Sequence, residues 1–224
     1  MSEEIREDSY KHKGQRKDLI DSLRKKGITD EKVLAAMMDV PRHFFFDKDL
    51  EHIAYEDRAF PIAANQTISQ PYTVAFQTQL LRVQPKDKIL EIGTGSAYQA
   101  SVLAAMGARV FSIERQKELF DLTANYPLAK KYPRSVLSFI YGDGFEGMIG
   151  QAPFDKIIIT CGAPFIPPKL VEQMKTGGLM VIPVARDEHH KMLRITKNED
   201  GSYEEESFSD FSFVPMLPGT QNHK

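Results

Sequence analysis

The feature that most constrains the fold is a regular alternation, from about residue 88 onward, between short apolar runs and longer helix-like segments. Only a few residues join each run to the next segment. Parallel strands need a crossover connection, and a helix between two strands supplies one. The alternation therefore predicts a largely parallel, doubly wound α/β sheet with helices on both faces. The predicted strands are KILEIG, RVFSIER, VLSFIYGDG, PFDKIIITCGA and GGLMVIPVA, and the predicted helices are YQASVLAAMGA, QKELFDLTANYPLAKK and PPKLVEQMK.

The front of the chain reads as helical. From Lys17, the segment KDLIDSLRKKGI places Leu19, Ile20 and Leu23 on one helical face, and Gly27 is its predicted end. A second helix is predicted in TDEKVLAAMMDVP, and the aromatic cluster in RHFFF that follows is expected to pack in the core. Residues before about position 15 have little to bury and are expected to fray.

The end of the chain predicts an antiparallel addition to the sheet. The segment HKMLRITKNEDGSYEEESFSDFSFVPM reads as strand, turn at Asp200 and Gly201, and strand. We therefore expect a Rossmann-like, mostly parallel sheet with an antiparallel C-terminal edge and an N-terminal helical extension. A single domain is predicted over 1–224, with residues 1–70 as helical front and substrate loop and 71–224 as the core.

Charge and cysteine content narrow the classes of function. A net charge of −2 over 224 residues gives no basic field for nucleic acid. The one cysteine excludes an internal disulfide framework and fits a reducing compartment. The charged first residues lack the apolar run of a secretory signal, and no stretch has the length of a membrane span. We expect a cytoplasmic protein, without nucleic-acid or membrane partners.

The turn after the first core strand carries a glycine loop, in LEIGTGSAYQ. Gly93 and Gly95 allow a tight turn and close approach of a ligand. Tyr98 stands where a nicotinamide-binding G-x-G-x-x-G motif has its third glycine, which disfavours an NAD enzyme. The spacing instead resembles the E-x-G-x-G-x-G loop of class I S-adenosylmethionine-dependent methyltransferases, with Glu91 in its first position and Ala97 in place of the last glycine.

Two acids at the ends of the next strands strengthen a cofactor site. Glu114 closes FSIE, where a carboxylate can accept both hydroxyls of a ribose. Asp143 follows the third strand in GDG, beside Gly144, where it can accept from an adenine amino group. Alone, each could be a strand-end or turn acid. Their order at successive carboxyl ends, where open α/β sheets bind ligands, favours the cofactor.

Motifs over residues 17–217 resemble those of the protein-L-isoaspartate O-methyltransferases. They are VPRHFF, YEDRAFPI, NQTISQP, LEIGTGSAYQ, SIER, GDG, PFDKIIIT and FVPM, in that order. NQTISQP is the most discriminating, although Asn65 stands where that family usually has glycine. The resemblance implies methylation of the free α-carboxylate of isoaspartyl residues in damaged proteins, and an ester that closes to a succinimide.

This chemistry gives Ser69 a predicted role. A peptide α-carboxyl has a pKa of about 3.3–3.7, so it reaches neutral pH already ionised and needs no general base. Uncharged donors can aim it at a sulfonium methyl, and positioning of this kind contributes several kcal/mol. We therefore interpret Ser69 as an orienting donor, against the alternative that it only caps the helix beginning near Pro71. Thr67, Ile68 and Gln70 are expected to line the same cleft, and Pro61 and Ile62 to form its wall.

The candidate site is therefore defined as follows. Ser69 is the predicted catalytic residue, and Thr67, Ile68 and Gln70 are the predicted substrate-binding residues. The residues expected to bind S-adenosyl-L-methionine are Glu91, Gly93, Thr94, Gly95, Glu114, Asp143 and Gly144, and no metal site is predicted. Three alternatives stay open: a related methyltransferase acting on a small molecule or RNA, a nicotinamide oxidoreductase, and a weakened homologue that only binds cofactor. A monomer is expected.

Other candidates have plainer interpretations. His189 and His190 are expected in an exposed polar loop, and Cys161 as a packed small residue. Residues 203–206 are expected to form a solvated turn. The apolar residues near the end are Phe211, Phe213 and Val214, expected in a buried edge strand, and Met216 and Leu217, which family resemblance places at the site.

Overall fold

The computed structural model describes residues 7–123, 131–186 and 188–222. The front of the chain forms helices, a small hairpin and a third helix. These elements are α1 (Tyr10–Lys25), α2 (Glu31–Asp39), β1 (Phe60–Pro61), β2 (Thr67–Ile68) and α3 (Pro71–Leu81). Strands β1 and β2 pair antiparallel and form a separate two-stranded ribbon.

A seven-stranded sheet forms the rest of the molecule. Its strands are β3 (Lys88–Ile92), β4 (Arg109–Glu114), β5 (Leu137–Tyr141), β6 (Phe154–Ile159), β7 (Met174–Arg186), β8 (His189–Lys197) and β9 (Tyr203–Phe211). The helices between them are α4 (Tyr98–Ala105), α5 (Lys117–Thr123) and α6 (Pro168–Glu172). The spatial order is β5-β4-β3-β6-β7-β8-β9. Strand β8 pairs antiparallel with both β7 and β9, and all the other neighbouring pairs are parallel. The predicted fold class is confirmed.

The order of the strands locates a ligand crevice. The chain moves outward from β3 through β4 to β5 and then returns to the other side of β3 with β6. Open α/β sheets bind ligands outside the carboxyl ends of their strands at such a reversal. Strand β3 lies between β4 and β6 and is buried along almost its whole length, which fits a parallel strand covered by helices on both faces. The sheet therefore presents a crevice where β3 and β6 end.

The helical front packs on the core through the aromatic cluster, as the sequence predicts. The ring centroids of Phe45 and Tyr98 lie 5.4 Å apart in an edge-to-face arrangement. Phe46 and Phe60 form a second edge-to-face pair with the same centroid distance of 5.4 Å. Both phenylalanines are buried. Edge-to-face pairs of this kind add to the free energy of burial. The cluster thus joins the front segment to the first helix of the sheet domain.

The first helix begins earlier than the sequence predicts. It starts at Tyr10 instead of near Lys17, because the Ser9 hydroxyl accepts from the His12 backbone N–H at 3.3 Å and caps it. Arg16 is buried within this helix and pairs with Asp8. The expectation that residues 1–15 fray is therefore wrong for residues 10–15. Later in the chain, α5 is described to Thr123, and the rest of that predicted helix lies partly outside the described residues.

The antiparallel edge also corrects three expectations. His189 and His190 are not in a loop, because they pair with β7 at the start of β8. Residues 203–206 are strand, not turn, since Arg194 of β8 holds the Glu206 carboxylate with two nitrogens, at 2.8 and 2.7 Å. The strand ends at Phe211, half-buried, so Phe213 and Val214 lie outside it. The turn at Asp200 and Gly201 is confirmed, with Gly201 at φ 84°.

Across the described residues, none of the helices combines the length and apolar character that crossing a bilayer requires.

Candidate active site

A cleft of about 890 Å³, measured out to its open mouth, lies at the carboxyl ends of β3, β4 and β6. On one side it meets the glycine turn after β3, and on the other the loop that holds Ser69. It is lined by residues 66–69, 92–96, 113–116 and 214–217, together with Val74, Tyr98, Gln99, Gly144, Thr160 and Cys161.

The conformation of the glycine turn is stabilised by Glu114, the acid at the end of β4. Glu114 accepts from the backbone N–H of Gly95 at 2.8 Å and from that of Gln116 at 2.8 Å. Burial raises the pKa of Glu114, and these backbone donors oppose that shift. Gly93 has φ 95°, and a β-carbon there would meet the Thr160 hydroxyl oxygen at 2.7 Å. The turn therefore leaves bare backbone facing the cleft.

Glu91 does not reach this cleft. Its side chain is fully buried in β3, where the Ser112 hydroxyl donates to it at 2.5 Å. The Thr94 hydroxyl lies 2.6 Å from that of Ser112, so a hydrogen-bonded chain runs beneath the glycine turn. Burial raises the pKa of Glu91 to about 8. The position of Glu91 thus indicates support of the turn, while Thr94 lines the cleft but turns its hydroxyl into the sheet.

Asp143 is likewise behind the lining of the cleft. One carboxylate oxygen accepts from the Phe145 backbone N–H at 2.8 Å, and the other from that of Gly219 at 2.6 Å. Its neighbour Gly144 does line the cleft, and a β-carbon there would come within 2.4 Å of Ile92. Asp143 therefore ties the end of the chain to the turn after β5.

The segment bearing Ser69 forms the opposite wall. Thr67, Ile68 and Ser69 line the cleft, and Ser69 is half-buried. Gln70 does not, because its amide donates to the Asp57 carbonyl at 2.9 Å. Helix α3 begins at Pro71, as predicted, but no side chain of its own N-cap residue caps it. Ile62, an expected wall residue, lies near Gly95.

Asp57 supplies the missing cap from outside the helix. Its carboxylate accepts from the Tyr72 backbone N–H at 2.8 Å and also pairs with Lys26. A carboxylate at this place satisfies a free donor and complements the helix dipole. The alternative that Ser69 serves only as the cap of α3 is therefore not supported, and its hydroxyl is left for the cleft.

Arg42 fixes the same loop from the core. It is fully buried and donates from Nε to the Ala54 carbonyl at 3.0 Å and from Nη2 to the Ser69 carbonyl at 2.8 Å. Its guanidinium also lies 4.8 Å from the centroid of the Tyr98 ring. Burial lowers the pKa of Arg42 to about 10, so it stays charged at neutral pH. Ser69 is thus anchored through its backbone, with a buried cation directly behind it.

Asn65 and Ala97, the two residues that stand where the family motifs have glycine, both have a left-handed backbone conformation. Asn65 has φ 54°, and Ala97 has φ 64°. Asparagine enters this region readily, whereas alanine pays a steric penalty of roughly 1–2 kcal/mol. Ala97 is buried directly before α4. The glycine-to-alanine change therefore strains the turn but leaves the cleft open.

Several lining residues carry no signal that the sequence interpretation used. Gln66, Val74, Ser96, Gln99, Arg115, Gln116 and Thr160 all reach the cleft. Most lie within the quoted motifs and Gln116 directly follows one, so the motifs themselves could have suggested them. Val74 could not be found in this way, because its place at the cleft depends on how α3 packs against the sheet.

The remaining candidates do not form a second site. Burial raises the pKa of Cys161 to about 12, so this cleft-lining thiol stays protonated. Asp8, His12 and His43 lie close enough to share an ion, but Arg16 already contacts both carboxylate oxygens of Asp8. Burial lowers the pKa of His43 to about 4. His190 packs edge-on to Phe213, within the sheet edge.

Comparison with known proteins decides the family. The family model described as protein-L-isoaspartate(D-aspartate) O-methyltransferase (PCMT) matches residues 14–221, nearly the whole chain. The chain belongs to this family. Two curated relatives, both named protein-L-isoaspartate O-methyltransferase, agree. The one from Flavobacterium johnsoniae is 52% identical over 211 residues, and the one from Christiangramia forsetii is 50% identical over 210; each match covers 94% of this chain and 97% of the relative.

Solved structures of PCMT proteins share the fold. A protein-L-isoaspartate O-methyltransferase from Plasmodium falciparum, in complex with S-adenosyl-L-homocysteine, superimposes with a TM-score of 0.77 at 24% identity, covering 90% of this chain and 98% of that one. Another structure of that name gives 0.79 at 23% identity, covering 89% and 65%. Membership of the PCMT family rejects the nicotinamide oxidoreductase alternative.

Proposed function

We propose that this chain transfers the methyl group of S-adenosyl-L-methionine to the free α-carboxylate of L-isoaspartyl residues in damaged proteins and peptides. The ester product then closes to a succinimide. PCMT membership over residues 14–221 supports the proposal. The observation that carries it is the uncharged loop at residues 66–69, which faces the glycine turn across one cleft.

The residues of the cleft fit the cofactor. The turn at Gly93 and Gly95 presents backbone to the cleft, a side chain at Gly93 would collide with Thr160, and Glu114 places a carboxylate at the end of β4. We infer that Gly93, Gly95, Glu114 and Gly144 contact the cofactor. Thr94 lines the cleft beside them, and Glu91 and Asp143 would support those contacts from behind. When bound, the cofactor supplies a methyl group on a sulfonium leaving group.

The loop at residues 66–69 would hold the other reactant. The substrate carboxylate is ionised at neutral pH, so the chain needs no base to remove a proton. The Ser69 hydroxyl would donate to one carboxylate oxygen and direct the other toward the methyl carbon. Thr67 and Ile68 would contact the peptide, with Gln70 holding the loop through the Asp57 carbonyl. Alignment at close range is the main contribution the protein makes to such a displacement.

The charge of Arg42 suits the binding of a reactive carboxylate because it does not contact the substrate directly. Its guanidinium reaches the Ser69 carbonyl, not the Ser69 hydroxyl. A cation in direct contact would bind the carboxylate tightly and reduce its nucleophilicity. Behind the loop, the same charge favours an anion in the cleft and leaves the attacking oxygen free.

Turnover on matched peptides tests the proposal. The purified chain is incubated with tritiated S-adenosyl-L-methionine and two peptides that differ only in an isoaspartyl or a normal aspartyl linkage. We expect base-labile label on the isoaspartyl peptide and none on its isomer. Label on RNA or on small metabolites, but not on the isoaspartyl peptide, would favour the alternative substrates. Tight binding of S-adenosyl-L-homocysteine without turnover would indicate the weakened homologue.

We also infer the setting in which the chain works. Residues 1–224 would act as one domain and as a monomer, with isoaspartyl proteins as partners and no nucleic acid. The near-neutral net charge of −2 supports the last point, and the single cysteine supports a cytoplasmic location. Light scattering after gel filtration measures the oligomeric state, and a mass of about 25 kDa is expected.

A further inference from the structure

Gln99 is a buried polar side chain at the cleft that the site described above does not use. It lies on the first turn of α4, lines the cleft and is only 7% exposed. Its Oε1 atom is enclosed and has no hydrogen-bond partner within the described parts of the chain. Buried side-chain oxygens in folded proteins nearly always have a donor. An acceptor left over at a ligand cleft points to a donor on the ligand.

The hydrogen bonds around Gln99 fix which end of its amide is left over. Its Nε2 lies 2.9 Å from the Thr78 hydroxyl oxygen. That hydroxyl lies 2.7 Å from the Val74 carbonyl, to which it must donate its only proton. Thr78 can therefore only accept from Gln99, and the amide must present its NH₂ to Thr78. The Oε1 atom of Gln99 is therefore the part of the amide that has no partner among the residues that the structure describes.

The surrounding residues indicate which part of the cofactor would meet Gln99. Glu114 and Gly144 follow β4 and β5, on one side of the glycine turn, where the ribose and adenine would bind. Gln99 instead contacts α3, the helix that follows Ser69, and shares the cleft wall with Val74. Since the sulfur joins the ribose to the amino-acid chain and must lie near Ser69, the amino-acid end belongs on the side of Gln99.

We propose that Oε1 of Gln99 accepts a hydrogen bond from the α-ammonium group of the bound cofactor. This inference rests on the proposed cofactor site and adds to it a specific polar contact. The ammonium has three donors and no acceptor, so it matches an amide oxygen whose nitrogen is already engaged. An uncharged partner binds the ammonium without adding a negative charge that would repel the substrate carboxylate.

A comparison of two ligands tests the contact. Titration calorimetry measures binding of S-adenosyl-L-homocysteine and of its analogue with hydrogen in place of the amino group, to the wild type and to Gln99→Leu. We expect Gln99→Leu to raise the dissociation constant of S-adenosyl-L-homocysteine by roughly 10- to 100-fold, which is the effect of losing one hydrogen bond to a charged group. The analogue should bind both proteins within about threefold. Gln84→Leu, the same change at an exposed site, is the control.

Two further variants keep the test decisive. Gln99→Met replaces Gln99→Leu if the latter unfolds, because methionine is unbranched and adapts to irregular space. Gln99→Glu keeps an acceptor and should retain preference for the ligand with the amino group. An equal loss for both ligands in Gln99→Leu would overturn the inference, since Gln99 would then only shape the cleft. Unchanged ligand binding with a raised KM for the peptide would overturn it in favour of a substrate contact. If the wild type bound neither ligand, the proposed function itself would fail.

Discussion

Ser69 is the residue whose role the structure sharpens most. The sequence leaves two interpretations open, a helix cap and a donor to the substrate. Asp57 caps α3 through the Tyr72 N–H, and Arg42 holds the Ser69 carbonyl, so the backbone around Ser69 is fixed from two sides. The hydroxyl is then the part of the residue that remains for chemistry.

Ser69→Ala tests this assignment. We expect kcat for an isoaspartyl peptide to fall at least about tenfold, because a hydrogen bond to an anion contributes roughly 1.5–3 kcal/mol. The dissociation constant of S-adenosyl-L-homocysteine should change less than about twofold, since Ser69 acts on the other reactant. Steady-state kinetics and calorimetry measure the two quantities. Ser209→Ala, on exposed β9, is the control; a Ser69→Ala enzyme with wild-type kcat would contradict the assignment.

Glu91 makes a second prediction at this scale, through its raised pKa. Burial raises this pKa to about 8, whereas an unfolded chain releases the proton near about pH 4.3. Between these values the folded protein holds a proton that the unfolded chain has lost. The contribution of this group to the free energy of unfolding is therefore fully present below about pH 4.3, and it falls as the pH rises toward 8.

Glu91→Gln should remove that pH dependence, since the amide can still accept from Ser112 but does not titrate. We expect the free energy of unfolding of the variant, relative to wild type, to rise between pH 5 and 8, by up to roughly 1.4 kcal/mol per pH unit. Urea unfolding at several pH values measures it. Taking the difference between the two proteins cancels the other titrating groups, and a difference that is constant with pH would contradict the buried acid.

At the scale of elements, the three motifs at the front of the chain form one structural unit that positions the Ser69 loop. VPRHFF supplies Arg42, YEDRAFPI supplies Asp57, and NQTISQP supplies the loop that both of them hold. The sequence shows three separate motifs, and only packing shows that two of them position the third. Side chains that bind a backbone carbonyl leave no pattern in the sequence of the segment they hold.

Arg42→Met tests this structural unit. We expect kcat/KM for the peptide to fall at least about tenfold, because the Ser69 carbonyl loses its buried donor, while the affinity for S-adenosyl-L-homocysteine stays within about twofold. Two unpaired carbonyls should also lower stability by roughly 1–3 kcal/mol each. Arg42→Lys keeps the charge but cannot span both carbonyls, so it should recover only part of the activity. Arg58→Met is the control, since Arg58 is exposed in the same segment; equal losses of cofactor and peptide binding would refute a specific role.

The sheet shows which elements a sequence can predict. The five parallel strands are mostly apolar runs, and the structure confirms all of them. The antiparallel edge was predicted less well, because β9 is solvated and its charged residues resemble a turn. Its state depends on β8, where Arg194 reaches Glu206. The polar residues of an edge strand are defined by their neighbour, which local sequence does not contain.

For the whole molecule, the end of the chain returns across the sheet to complete the cleft. Met216 donates to the Gly162 carbonyl at 2.7 Å, Gly219 to Asp143 at 2.6 Å, and Gln221 to the Arg115 carbonyl at 2.8 Å. The segment thus contacts the residues that follow β6, β5 and β4 in turn. The sequence places Met216 and Leu217 at the site only by resemblance, since these contacts join residues far apart in the chain.

Asp143→Ala tests this crossing segment. Removing the carboxylate frees the Gly219 N–H, so that, among the described residues, the middle of the segment is held only by Arg115, whose Nε donates to the Gly219 carbonyl at 3.0 Å. We expect S-adenosyl-L-homocysteine to bind roughly tenfold more weakly, because Val214 to Leu217 line the cleft that the segment must cover. The kcat at saturating cofactor should stay close to wild type, the reverse of Ser69→Ala. Hydrogen exchange separates this cause from a direct contact: the amides of Gly219 and Gln221 should exchange faster in the variant before any ligand is added. Weak binding with unchanged exchange at these amides would show instead that Asp143 contacts the cofactor itself, as the sequence predicts.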